Sequence, residues 1–247
     1  MALVLSGLSF HYARNTDVFS DFSARFESRS TVLLGPNGAG KSTLMALAAS
    51  HLAPTRGTVT YRGNAPSTRK DRAPYRRAVA WIPQQITPIP GLTVREQAAY
   101  AGWLKGMSKR AAWHASARAI ARVGLEPLAE RKSHQLSGGQ LRRLGIAGAL
   151  THQSELILMD EPTAGLDPTQ RGVFRELVGE LSQSVQVIVS THQTEDLADL
   201  YQEVVVLSGG RLRFQGATDD FYGLADELGS PREAAEAAYL TLVGREV

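Results

Sequence analysis

The chain has 247 residues, 43% of them hydrophobic, and a formal net charge of +3. That is enough for one large α/β domain or two small ones, and it argues against a disordered chain. With no cysteine, disulfides, zinc–thiolate sites and iron–sulfur ligation from this chain are excluded, and the small basic excess reads as a solvated surface rather than a nucleic-acid or membrane-surface binder.

The amino-terminal MALVLSGLSFHY lacks a basic n-region and a small-residue cleavage site, so it does not read as a signal peptide. The longest apolar runs, such as LILM at 156–159, fall far short of the roughly 18 residues that a membrane span needs. Short strands with turns follow from the start: LVLSGLSF, FSARFES, TVLLG and GTVTYRG. TVLLG runs into GPNGAGKST at 35–43 and then into the helical STLMALAAS, and strand, glycine loop and helix are the context that a phosphate-binding loop requires.

From about residue 93 the texture becomes helical. Thr93-Val-Arg-Glu96 fits a capping box ahead of QAAYAGWLKG, and Ser108 caps KRAAWHASARAIARV, which Gly124 closes. Trp103 and Trp113 are expected to pack between these two helices. Then HQLSGGQ, at 134–140, places a serine and two glycines before the helix-like LRRLGIAGAL, a place for an anion at a helix N-terminus. Strand and helix alternate again through ELILMDEP, a helix around 169–182, VQVIVSTH, a helix near 195–201, a hairpin EVVVLSGGRLRFQG turning on Gly209-Gly210, and a last helix in SPREAAEAAYLTLVG. The pattern is a parallel-sheet core interrupted by a helical insertion near 92–150.

Gly35 to Ser42 satisfies G-x-x-x-x-G-K-[ST] in full, a match that arises by chance in about one chain in a hundred of this length. The glycines let backbone N–H groups turn inward around phosphates, Lys41 reaches the β- and γ-phosphates, and Ser42 offers a hydroxyl to Mg²⁺. At the end of LILM, Asp160 is placed to serve the metal. Glu161 would point the other way if the strand persists, and would polarise a water.

GPNGAGKST, LSGGQ and LILMDEP, in this order and spacing, resemble the ATPase subunit of an ATP-binding cassette (ABC) transporter, and the resemblance covers nearly the whole chain. It implies an α/β fold over 1–247: a P-loop NTPase parallel-sheet core with an N-terminal antiparallel β subdomain (1–91 and 151–216 together), an inserted α-helical subdomain (92–150) and a helical tail (217–247). By the same resemblance ATP is cradled by Gly35, Pro36, Asn37, Gly38, Ala39, Gly40, Lys41, Ser42 and Thr43, with adenine stacked on Tyr12. Ser42, Gln84 and Asp160 serve Mg²⁺. Gln84, rather than Gln85, also contacts the attacking water, Glu161 is the base, and His192 holds the γ-phosphate. The second anion site belongs to a partner: Ser137, Gly138, Gly139 and Gln140 of one subunit would meet the ATP held by the other, and Asp167 lies in the loop that crosses to it.

The resemblance therefore implies a head-to-tail pair with a second ATP-binding subunit, a homodimer or a heterodimer, on a separate membrane permease at the cytoplasmic face of the membrane, with no nucleic-acid partner. Residues 84–96 and 129–135 are the candidate contact with that permease. PGLTVREQAAYAGWLKG, LSGGQLRRLGIAGAL, DEPTAGLDP and the terminal EAAYLTLVGRE resemble the drug, antibiotic or polysaccharide exporter branch. The chain departs from that branch in LSGGQ, where many members have LSGGM or LSKGM, and in ESRST, where a glycine commonly precedes the first core strand. Importers share most of the motifs, and a soluble ABC ATPase outside transport is the remaining alternative.

Overall fold

The computed structural model describes residues 2–13, 16–197, 200–225 and 230–244. Strands β1 (Leu3–His11), β2 (Asp17–Phe26) and β4 (Arg56–Tyr61) form an antiparallel sheet in the order β2-β1-β4. A second sheet takes the order β5-β6-β7-β3-β8-β9, built from β3 (Ser30–Leu34), β5 (Val79–Ile82), β6 (Leu156–Asp160), β7 (Gln186–Thr191), β8 (Glu203–Ser208) and β9 (Arg211–Ala217). Its first five members run parallel, and only β9 is antiparallel, returning across the Gly209-Gly210 hairpin as expected.

The central strands are apolar on both faces because both faces are covered. Val32, Leu34, Ile157, Met159, Val187, Val189, Val204 and Val206 pack against the helical side. Their alternates Leu33, Leu156, Leu158, Ile188, Val205 and Leu207 pack toward the antiparallel sheet and α1 (Lys41–Ala48). The alternation is the period of two that a pleated strand imposes.

The helical side carries α3 (Val94–Leu104), α4 (Lys109–Arg122), α5 (Gly138–Thr151), α6 (Pro168–Ser182), the short α7 (Thr218–Tyr222) and α8 (Pro231–Val243). The expected caps are present: Thr93 and Glu96 form a capping box, Ser108 accepts from Ala111 N, and Gly124 takes φ +66° beyond the end of α4. Residues 92–150 do not hold a core of their own. Val94, Ala98, Ile120, Leu144 and Ile146 join the same cluster as the strand residues.

Three expectations are corrected. Trp103 and Trp113 do not pack between α3 and α4; they are 46% and 38% exposed. The helices approach too closely for indole rings, since a Cβ on Gly102 would meet Thr151 Cγ2 at 2.8 Å and Ala112 Cβ at 3.3 Å. Trp103 instead stacks on Tyr100 at 5.5 Å, and the Arg95 guanidinium lies 4.0 Å over Trp113, a cation–π contact. Secondly, the helix expected at 195–201 is a single 3₁₀ turn, Thr194–Asp196; residues 198 and 199 lie outside the described residues. Thirdly, β6 does not persist past Asp160: Glu161 takes φ +45°, so a left-handed turn, not strand alternation, separates the two carboxylates.

One helix escaped the sequence reading: α2 (Arg69–Ala78), started by a capping box between Thr68 and Asp71. Its neighbourhood holds a titrating core residue. His152 is 3% exposed and hydrogen-bonds through Nδ1 to Arg77 O at 3.1 Å, and burial, with Lys105 nearby, pushes its pKa down to about 4. Between pH 6.5 and 4 the unfolded chain therefore binds a proton that the native chain refuses, so native stability falls as pH falls through that window, by about 3 kcal/mol at its lower end. A His152→Asn variant keeps a donor for Arg77 O and does not titrate. Its denaturant-unfolding free energy is expected to lose that part of the slope between pH 6.5 and 4.

Candidate functional site

Parallel register assembles the site. Leu34 pairs with Thr191, and Asp160 with Ser190, so Gly35, Glu161 and His192 all leave their strands at one edge of the sheet. Ligand sites of open α/β sheets lie at that edge, the carboxyl ends of the strands. The loop after β3 is held close to the sheet: a Cβ on Gly35 would lie 2.3 Å from Leu207 O. Gly40 takes φ +102° against the Phe19 ring, where a Cβ would come within 2.9 Å, so both positions require glycine.

Gly40 is the N-cap of α1 and has no side chain to satisfy the first-turn N–H groups, and no acidic residue stands in that turn. The positive end of α1 is thus left for an anion. Lys41, 6% exposed, donates from Nζ to Gly35 O at 2.7 Å and Pro36 O at 3.1 Å, and pairs with Glu161 Oε1 at 3.3 Å. Burial holds its pKa below the usual lysine value, against the opposing pull of Glu161 and Asp160. The other Glu161 oxygen, Oε2, accepts from His192 Nδ1 at 2.8 Å.

Asp160 sits behind this group. Its Oδ1 accepts from Ser190 Oγ at 2.6 Å, while the same hydroxyl accepts from Glu161 N at 3.1 Å. Ser190 is fully buried and holds both carboxylate residues in place. The sequence reading missed it; the signal was a hydroxyl directly after three apolar residues in VIVS.

A cavity of about 440 Å³ is lined by Tyr12, Val18, Asn37, Gly38, Gly40, Lys41, Ser42, Thr43, Gln84, Glu161 and His192. The Tyr12 ring meets Phe10 edge-on at 5.0 Å, and its hydroxyl lies 3.1 Å from Thr43 Oγ1. Of the expected residues, Gly35, Pro36, Ala39 and Asp160 stand behind the lining. Ser137, Gly138, Gly139, Gln140 and Asp167 do not line it.

Those last residues form a second surface. Ser137 and Gln140 make a reciprocal capping box at the start of α5. Because Ser137 Oγ accepts from Gln140 N, its own O–H remains to be donated outward, beside the first-turn N–H groups of Gly138 and Gly139. Asp167 caps α6 through Gln170 N at 2.9 Å.

The oxygen set of Ser42, Gln84 and Asp160 suits Mg²⁺. That hard cation takes oxygen ligands, keeps several waters and relies on substrate phosphates rather than on an all-protein cage. Among the described residues no cluster of three or more His, Asp or Glu side chains forms such a cage, and Ser42 and Gln84 both face the cavity.

Against known proteins, residues 21–164 match the family model described as ABC transporter. This chain belongs to the ABC transporter family. The matched stretch contains the glycine loop, the LSGGQ turn and β6 of this ABC chain. It is 33% identical to the linearmycin resistance ATP-binding protein LnrL of Bacillus subtilis over 189 residues, 76% of this chain and 60% of that protein. It is 36% identical to the energy-coupling factor transporter ATP-binding protein EcfA2 of Bacillus thuringiensis over 205 residues, 79% of this chain and 69% of that protein. The ABC chain spans about three fifths of the length of the Bacillus subtilis relatives it matches. Among solved structures, cbiO1 from Clostridium perfringens, described as part of the ABC transporter complex cbiONQ, superposes with a TM-score of 0.79 at 25% identity, covering 90% of each chain. The ABC nucleotide-binding fold, with its mixed parallel sheet, helices and N-terminal antiparallel strands, is shared with these proteins. No helix among the described residues is long and apolar enough to cross a membrane.

Proposed function

We propose that this chain is a Mg²⁺-dependent ATPase that drives transport through a separate membrane subunit, working as a head-to-tail homodimer at the cytoplasmic face of the membrane. The observation that carries this reading is the cavity that gathers the α1 loop, Gln84, Glu161, His192 and Tyr12; the LSGGQ turn does not line it, and in this reading it serves a second subunit. Residues 1–247 act in it as one nucleotide-binding domain.

In this reading the N–H groups of the 35–43 loop and Lys41 hold the phosphates, Tyr12 stacks on the adenine, and Ser42, Gln84 and Asp160 hold Mg²⁺, which neutralises phosphate charge. Lys41 has a better partner in a phosphate than in Glu161, so nucleotide frees that carboxylate. Water attacks the γ-phosphorus, the bond to the ADP oxygen breaks, and the proton passes to Glu161, whose partner His192 lies beside the γ-phosphate. General-base help of this kind is worth about 10² to 10⁴ in rate. The nucleotide of one subunit is completed by Ser137, Gly138, Gly139 and Gln140 of the other, and Asp167 crosses between them. ATP bridges the pair more tightly than ADP, so binding closes it and hydrolysis reopens it. Residues 84–96 and 129–135 pass that motion to the permease.

Export is the direction we propose, on the exporter-like PGLTVREQAAYAGWLKG and EAAYLTLVGRE segments and the similarity to a protein named for linearmycin resistance. Import is the second reading, favoured by the 36% identity to EcfA2 over 205 residues. The deciding experiment uses a tagged Glu161→Gln chain expressed in the native host and purified with ATP from detergent-solubilised membranes. A multi-span membrane protein is expected with it and absent from a Lys41→Ala control, and a solute-binding protein alongside would turn the direction to import. Recovery of ribosomal or nucleic-acid proteins alone would overturn the transport reading.

A further inference from the structure

The turn between β6 and α6 brings two functional stretches of one chain together. Glu161 is held in its left-handed conformation by hydrogen bonds from its N–H to Ser190 O, at 3.0 Å, and to Ser190 Oγ, and its carbonyl accepts from Ala164 N at 3.2 Å. The carbonyl of that same Ala164 accepts from Arg142 Nη2, one turn into α5 from the Ser137–Gln140 box. Nearby, Gly139 presses against the start of α6: a Cβ there would meet Gln170 Oε1 at 2.6 Å and Leu166 Cδ2 at 3.5 Å. Arg171 Nε binds Leu166 O at 3.2 Å, so the 161–167 turn is gripped from both helices.

Arg142 gives up hydration for this grip. Burial lowers its pKa, and its Nε is buried with no hydrogen-bond partner among the described residues. A guanidinium that served only solubility would stay in water, where it loses nothing. The neighbouring Arg143 points to the end of α4, to Val123 O at 3.2 Å, so the two arginines serve different contacts.

We infer that Arg142 is a positioning residue that couples the two ATP sites of the pair through one chain. The inference rests on the head-to-tail reading, in which the LSGGQ turn serves the partner's nucleotide while Glu161 serves the chain's own. The path is short: α5, the Arg142 guanidinium, the Ala164 peptide, the Glu161 carbonyl. When the LSGGQ turn engages the partner's phosphates, α5 carries Arg142 with it, and the Ala164 peptide transmits that displacement to the backbone of the base. Each site thus senses whether the other is filled.

The test compares wild type, Arg142→Ala and Arg142→Lys for steady-state hydrolysis, for binding of a fluorescent ATP analogue, and for ATP-dependent dimerisation in a Glu161→Gln background. For Arg142→Ala, analogue affinity and melting temperature stay close to wild type. The kcat falls about tenfold to a hundredfold, and the Hill coefficient for ATP drops from about two towards one. Dimerisation then requires several-fold more ATP. Lysine, which still reaches one carbonyl, restores part of each effect. An Arg142→Ala chain with wild-type kcat and Hill coefficient overturns the inference. So does one that loses melting temperature and analogue binding along with kcat, with no rescue by lysine, since that is the signature of a folding role. A wild-type chain that neither dimerises with ATP nor hydrolyses it cooperatively overturns the pairing itself, a failure read from the wild type without reference to Arg142.

Discussion

Glutamine at position 161 is expected to lower kcat for ATP about 10²- to 10⁴-fold, equivalent to roughly 3 to 5 kcal/mol of transition-state stabilisation, while nucleotide affinity holds or improves. The two halves of that expectation have separate causes. An amide cannot take the proton of the attacking water, so the chemical step slows. It does keep an oxygen for Lys41 and an NH₂ group that can donate to His192 Nδ1, so the 3.3 and 2.8 Å contacts that Glu161 makes in this structure have isosteric replacements and the loop geometry survives. Affinity holds or rises because Lys41 no longer has a carboxylate competing with the phosphates. Single-turnover hydrolysis and titration with a fluorescent ATP analogue separate the two effects. A variant that turns over at the wild-type rate would remove Glu161 from the role of base, and His192 would be the next residue to replace.

What the sequence made legible follows from how locally each feature is encoded. The glycine loop, the capping box at Thr93, the Ser108 cap and the apolar strands VLL, LILM and VIV are decided by residues within a few positions of each other, and the fold realises them. The site edge was legible for a different reason: strands feeding GPNGAGKST, DEP and STH must end together if they pair in parallel. What was not legible depended on contacts distant in sequence. Trp103 and Trp113 were expected inside because large aromatics usually are, yet Gly102, Ala112 and Thr151 set a helix spacing with no room for them. The turn at Glu161 reversed the simple alternation argument, because the bonds from Ser190 that hold it come from the neighbouring strand. The helix α2 was missed although Thr68 and Asp71 announce it, since Pro74 inside the run reads as a breaker. Ser190 and Arg142 lie in or beside quoted motifs, STH and LSGGQ, that do not single them out; the contacts of Ser190 and the role inferred for Arg142 exist only once β7 lies beside β6 and α5 lies over the 161–167 turn.

Mixing two dead subunits is expected to recover activity, and this separates a shared site from a private one. Lys41→Ala removes the phosphate-binding cation of a chain's own loop. Gly138→Asp damages the other surface with little intramolecular cost: nothing lies within 4 Å of a Cβ there and φ is not positive, and a carboxylate in the first turn of α5 is favoured by the helix dipole. The same carboxylate repels a partner's phosphates. Alone, each variant spoils both sites of a homodimer, one through its own loop and the other through the surface it offers. In the mixed dimer both defects fall in one site, while the other combines an intact Gly35–Ser42 loop with an intact LSGGQ turn. An equimolar mixture should then reach up to about a quarter of the wild-type rate, since half of the dimers are mixed and each has one of two sites. Gly138→Asp by itself should still bind the fluorescent analogue as a monomer and melt no lower than wild type. If the mixture stays as inactive as its components while both bind each other, one intact composite site does not turn over beside a ruined one. Titrating wild type with Lys41→Ala then separates the two causes: a private site leaves activity proportional to the wild-type chains present, whereas obligate coupling of the two sites lowers it further.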